Sequence, residues 1–177
     1  MIAYFDCISG VSGDMLLGAL LDAGLCLEDL QRQIDRLNLP GVRLRADTVK
    51  KNGFGATKVE VLAEDSQGHR NFSDIRKIIE SSSLSNTVKE RSTRVFQRLA
   101  EAEAHIHRTA VESVHFHEVG ALDAIADIVG TVAALELLSV TSVEASPLPL
   151  GTGFIQSAHG KQPIPAPSMR LLSISRS

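Results

Sequence analysis

Between Val42 and Ala63 the apolar period is two, while the stretches on either side carry apolar residues at helical spacing. Val42, Leu44 and Ala46 alternate with polar residues, as do Val59, Val61 and Ala63, with Lys51, Asn52 and Gly53 between them. Alternation of this kind places every second side chain on one face, so the segment reads as two antiparallel strands joined at a tight turn. A chain that holds such a hairpin between helical stretches is confined to an α+β layer arrangement, with helices packed over a small sheet.

Upstream, Ile2 to Phe5 is a short apolar run that ends in Asp6 and a turn rich in glycine and serine, Ser9 to Gly13, which reads as a buried strand entering a helix. Met15, Leu16, Ala19, Leu20 and Ala23 then recur at helical spacing, with Gly24 at the position of a C-terminal cap. Leu27 to Leu37 repeats the pattern and stops before Pro40. Downstream, Ser73 is the expected cap for Ile75 to Ile79, and the longest helix is expected from Asn86 to about His107. Another helix is expected from Ala121 to Leu138, followed by a strand from Val140 to Ala145. The region from Pro147 to Pro167 is punctuated by prolines. The expected fold is therefore α+β: a single domain with a small mixed sheet, made of Ile2 to Phe5, the two alternating strands and Val140 to Ala145, under about five helices.

A chain of 177 residues can bury roughly 70% of the surface of its unfolded form, enough for a core without covalent staples. The net charge of -3 supplies no basic field to gather nucleic acid or an anionic membrane. Two cysteines, Cys7 and Cys26, are too few for a disulfide scaffold and are not spaced as a zinc ribbon or a CxxC redox pair, which fits a reducing cytoplasm. The patch Met15 to Leu21 is too short to span a bilayer, and no charged leader precedes an apolar stretch at the N-terminus.

The strongest chemical signal is His115, Phe116, His117 and Glu118, followed by Asp123 and Asp127. In extended backbone both imidazoles point to one side and Phe116 to the other. Asp123 and Asp127, four apart on a helix, share a face. Imidazole nitrogens and carboxylate oxygens within thirteen residues suit a divalent transition metal such as nickel, iron, manganese or zinc. The plainer alternative is an acid-decorated helix start beside two surface histidines.

On the preceding helix, Glu101 and His105 form one pair four apart, and Glu103 and His107 another. Neighbours two apart point roughly 200° from each other, so only one pair can face a site. Glu103 and His107 flank Ile106 on the expected buried stripe of Leu99, Ala102 and Ile106 and are favoured. The turn Ser9, Gly10, Val11, Ser12, Gly13 and Asp14 offers backbone N-H groups to an anion, or an aspartate to a cation that bridges to phosphate. It lacks the lysine of a Walker A loop and the spacing of a dinucleotide loop. Its plainer reading makes Ser12 a helix cap, with Cys7 a small buried thiol. His69 and His159 sit in loops, and no nucleophile elbow is present.

Taken together, the segments Tyr4 to Leu21 (YFDCISGVSGDMLLGALL), Ala100 to Ala104 (AEAEA), His115 to Gly130 (HFHEVGALDAIADIVG) and Pro147 to Gly153 (PLPLGTG), with His159 and Gly160, resemble the LarC nickel-insertion family from Ile2 to about Leu172. The resemblance implies a cytoplasmic, CTP-dependent, lyase-type cyclometallase that inserts nickel into pyridinium-3,5-bisthiocarboxylic acid mononucleotide, completing the nickel-pincer cofactor of lactate racemase. It implies an N-terminal family domain over residues 1–172, and residues 173–177 then read as a truncated or frameshifted tail. It also implies partners: a C-terminal domain or subunit that binds CTP with Mg2+ or Mn2+, and the racemase apoenzyme; a homo-oligomer is left open by the sequence.

On this reading Ni2+ is held by His115, His117, Glu118, Asp123 and Asp127. Ser9, Ser12, Gly13 and Asp14 receive phosphate, and His107, His69 and His159 serve as secondary ligands or proton acceptors. A metal-dependent phosphohydrolase, or a non-catalytic nickel-binding subunit, would draw on the same groups.

Overall fold

The computed structural model describes residues 1–63, 70–116, 121–157, 160–167, 169 and 172. Strand β1 (Ile2–Phe5) leads into helices α1 (Gly13–Asp22) and α2 (Leu27–Asp35), then strands β2 (Arg43–Lys51) and β3 (Phe54–Leu62). A short strand β4 (Arg70–Asn71) precedes helices α3 (Phe72–Ser81) and α4 (Asn86–His107). A 3-10 turn (Val111–Ser113), β5 (His115–Phe116), α5 (Leu122–Leu137), β6 (Ser142–Ala145), β7 (Gly153–Ser157) and β8 (Gly160–Ile164) complete the order.

Helix α5 is the centre of the molecule because its sequence is apolar nearly all round. Ile125, Ala126, Val129, Gly130, Ala133 and Ala134 are buried, and α1, α2 and α4 pack around them. Gly130 permits the close approach, since a methyl group there would stand 3.3 Å from Leu17 Cδ2 and 3.4 Å from Ile34 Cδ1. The β2-β3 hairpin turns through Asn52 and Gly53, both at positive φ, and pairs Arg43 with Leu62 through to Lys51 with Phe54. It is fixed over α1 by Asp22, whose carboxylate accepts hydrogen bonds from Thr57 N (3.1 Å) and Thr57 Oγ1 (2.5 Å). Gly18 lets the Thr57 carbonyl approach α1, where any Cβ would collide with it.

The α+β class and the five helices agree with the sequence reading. The strands differ from it: among the described residues they form four separate two-stranded ribbons, β1-β6, β2-β3, β4-β5 and β7-β8, rather than one mixed sheet. Alternation states which face of a strand is apolar and carries no information about which edge it meets. Strands β1 and β6 are parallel because β6 returns from α5, which packs against α1, and so arrives beside β1 in the same direction.

Local detail also differs from the sequence reading: β1, read as a buried strand, is exposed at Ile2 and Tyr4 because its pairing with β6 leaves that face uncovered. Asn71, not Ser73, caps α3. Its side chain accepts from Asp74 N (2.9 Å) while the Asp74 carboxylate accepts from Asn71 N (3.3 Å), a reciprocal box that outcompetes a single serine. The proline-punctuated stretch contains the antiparallel β7-β8 hairpin, with Pro163 on a strand whose other edge is unpaired among the described residues. The buried stripe of α4 includes Phe96, Ala100 and Ala104, as well as Ala102, while Leu99 and Ile106 are only half-buried. No described helix is long and apolar enough to cross a membrane.

Candidate functional site

The turn between β1 and α1 is held from both sides. Cys7 N donates to Ser146 Oγ (2.8 Å), its buried thiol donates to Phe5 O (3.7 Å), and Gly10 N donates to Cys7 O (3.0 Å) with Gly10 at positive φ. Ser12 occupies the N-cap position of α1 in extended backbone, but its side chain does not cap. Its hydroxyl donates instead to the carboxylate of Asp14, which also accepts from Met15 N (2.9 Å). The anion at this helix start is thus the protein's own Asp14, whose charge favours the positive end of the helix dipole.

Opposite stand the first turns of α5. Asp127 rests directly on Gly13: a Cβ added at Gly13 would collide with Asp127 Cβ, Cγ and Oδ2. Only a residue without a side chain lets α1 and α5 meet there. Asp127 Oδ1 is buried and receives no hydrogen bond among the described residues. Burial first, then the charges of Asp14 and Asp123, push the Asp127 carboxyl up to about 6. Asp123 is exposed, with Oδ1 accepting from Ala124 N (2.7 Å). The result is a negatively charged recess with an unsatisfied carboxylate oxygen, an arrangement that attracts a cation and repels a bare phosphate.

The remaining candidates separate. His115 lies on β5 opposite Asn71 and is exposed, while Phe116 points inward and packs on Phe96 at 6.3 Å between ring centroids. That is the alternation expected for residues 115 and 116. His117, Glu118, His69 and His159 lie outside the described residues. His107 closes α4 with Nε2 3.4 Å from Glu103 Oε2, the pair favoured over Glu101 and His105, and Glu101 instead accepts from Gln97 Nε2 (2.9 Å). Ser9 is exposed. Among the described residues no group of three or more His, Cys, Asp or Glu side chains is close enough together to hold a metal ion.

Sequence reasoning assigned Asp14 to phosphate and Asp127 to metal, and missed that the two carboxylates share one recess. No spacing rule joins positions so far apart. The available signal was Gly13 itself, a glycine at the first turn of an otherwise strong helix.

No solved structure matches the chain. A family model described as nickel insertion protein matches residues 3–175. A relative from Roseiflexus castenholzii, named for nickel insertion, is 55% identical over 167 residues, 94% of this chain and 42% of its own length. Relatives with the same name from Geobacter sp. (strain M21) and Thermomicrobium roseum are 50% and 49% identical, covering 94% and 97% of this chain and 44% and 42% of theirs. The chain therefore spans about two fifths of the length of these curated relatives. A match over nearly every residue, at half identity and under one description, establishes that this chain belongs to the nickel insertion protein family.

Proposed function

We propose that this chain is the N-terminal part of a cytoplasmic, CTP-dependent nickel inserter, and that nickel reaches its organic acceptor at the recess between α1 and α5. The observation that carries the reading is the buried, donor-free Oδ1 of Asp127 beside Asp14 and Asp123. Carboxylates crowded without a counter-charge are costly, and a divalent cation relieves that cost. A site that delivers nickel has to leave coordination positions open for its acceptor. Two aspartates, with His115, His117 and Glu118 proposed as further donors, do so more readily than a closed thiolate cage.

The acceptor we propose is pyridinium-3,5-bisthiocarboxylic acid mononucleotide. Its thiocarboxylates bind nickel through sulfur, and its ring carbon does so after losing a proton. A histidine takes that proton, with His107, His69 and His159 the candidates. Of these, His107 has the Glu103 carboxylate 3.4 Å away to pair with the imidazolium. Of the two alternatives open for the Ser9 to Asp14 turn, the acidic recess favours a cation bridging to the phosphate over direct contact with the helix start. CTP with Mg2+ or Mn2+ is placed on the C-terminal part of the family's length, and the product passes to a lactate racemase apoenzyme. Cys7 and Cys26, both free thiols, are in keeping with a reducing compartment.

Calorimetric titration with Ni2+ at pH 8 tests the site. Asp127→Asn is expected to weaken binding at least tenfold, and unchanged affinity would remove the recess from the pathway. Incubation with nickel, CTP and the precursor, read by mass spectrometry of the product, tests the reaction. Release of phosphate from generic esters without metallated product would point to a phosphohydrolase instead.

A further inference from the structure

Among the described residues, β1 and β6 pair only with each other, and they do so in parallel, Ile2 opposite Ser142 through Phe5 opposite Ala145. The ribbon is well formed at both ends: Thr141 N donates to Met1 O (2.8 Å) and Ser146 N to Phe5 O (2.9 Å). Parallel strands are found almost only where both faces of the sheet are covered, because the crossovers that join them lay helices on those faces. Here one face is wet and the other is covered only in part, where half-buried Phe5 packs on the core. Ile2 and Tyr4, alternate residues on one face, are 64% and 63% exposed, and Val143, in register with Ala3 on the other, is 51% exposed. Both outer edges lack a strand partner among the described residues, and an unpaired edge is a template for strand addition.

The character of the surface limits what fits it. Within the ribbon only Glu144 is charged, and it lies beside Tyr4 on the same face, so the complementary partner is mainly apolar with a donor or cation for that carboxylate. A second copy of the chain pairing about a two-fold axis would fill one edge and leave the face of Ile2 and Tyr4 in water. A strand joined to a helix would cover an edge and a face together. The relatives supply the material, since this chain accounts for only 42% of the Roseiflexus castenholzii protein.

We propose that the β1-β6 ribbon is the docking surface for the rest of the family's polypeptide, which adds a β-strand with apolar alternate residues to the ribbon and lays a helix over Ile2 and Tyr4. The proposal deepens the partner reading above and rests on it for the partner's existence, but its test does not read nickel chemistry.

Hydrogen-deuterium exchange is measured on this chain and on the intact Roseiflexus castenholzii relative, with light scattering to give each oligomeric state. In this chain, as a monomer, the amides of residues 2–5 and 142–145 are expected to exchange at least tenfold faster than the aligned amides of the relative. The β2-β3 hairpin should differ much less and serves as the reference for overall stability. Equal exchange of the ribbon in the two proteins would overturn the proposal. So would a dimer of this chain in which the ribbon is already protected, which would assign the surface to a second copy.

Discussion

Asp127 of α5 lies in van der Waals contact with Gly13, the first residue of α1, and the two are 114 positions apart in the chain. The contact joins the helix start that follows β1 to the central helix, and it sets the floor of the acidic recess. Gly13→Ala forces a methyl group into the Asp127 side chain, an overpacking of the kind that costs about 1–3 kcal/mol. Urea unfolding is expected to show a loss in that range, together with weakened Ni2+ binding because the carboxylate is displaced. Wild-type stability in Gly13→Ala would mean that the helices separate there without cost.

The titration of Asp127 gives a pH signature. Its folded value of about 6 lies above its ordinary value of 3.8, so the folded state binds the proton more tightly than the unfolded chain does. The stabilisation from that proton is complete below about pH 4 and is lost as pH rises through about 6. Above it, the ionised carboxylate is a net cost. Asp127→Asn removes that cost, by about 1–2 kcal/mol at pH 8 once solvent screening of the half-exposed group is allowed for, and changes little at pH 4. Chemical denaturation at the two pH values checks this, and an equal effect at both would refute the assignment. Ni2+ is expected to raise the melting temperature of the wild type at pH 8 and to do so far less in the variant.

The hairpin depends on Asp22. Its two hydrogen bonds from Thr57 are the polar link between α1 and β3 at the point where Gly18 brings the backbones together. Asp22→Ala is expected to cost about 1–2 kcal/mol in urea unfolding. Nickel affinity should stay within twofold, because the link lies at the far end of α1 from Gly13. Loss of nickel binding in this variant would show that the hairpin takes part in the site.

Local chemistry made much of the framework legible. The switch of apolar period marked the β2-β3 hairpin, Asn52 and Gly53 marked its turn, and the stretch from Ala121 to Leu138 marked the helix that became α5. The Glu103 and His107 pair followed from a spacing of four on one helix. These are relations among residues a few positions apart, where backbone geometry alone decides which side chains meet.

The recess and the sheet pairings belong to another class. Periodicity names the buried face of α1, but its crossing with α5 decides that Gly13 meets Asp127, and that burial together with Asp14 and Asp123 lifts its carboxyl to about 6. In the same way, alternation marked strands without saying that β1 and β6 would lie parallel and alone among the described residues. Side-chain order along the chain encodes faces. Which faces touch is settled only when the helices and strands pack, because the free energy of burial depends on area removed from water and not on sequence separation.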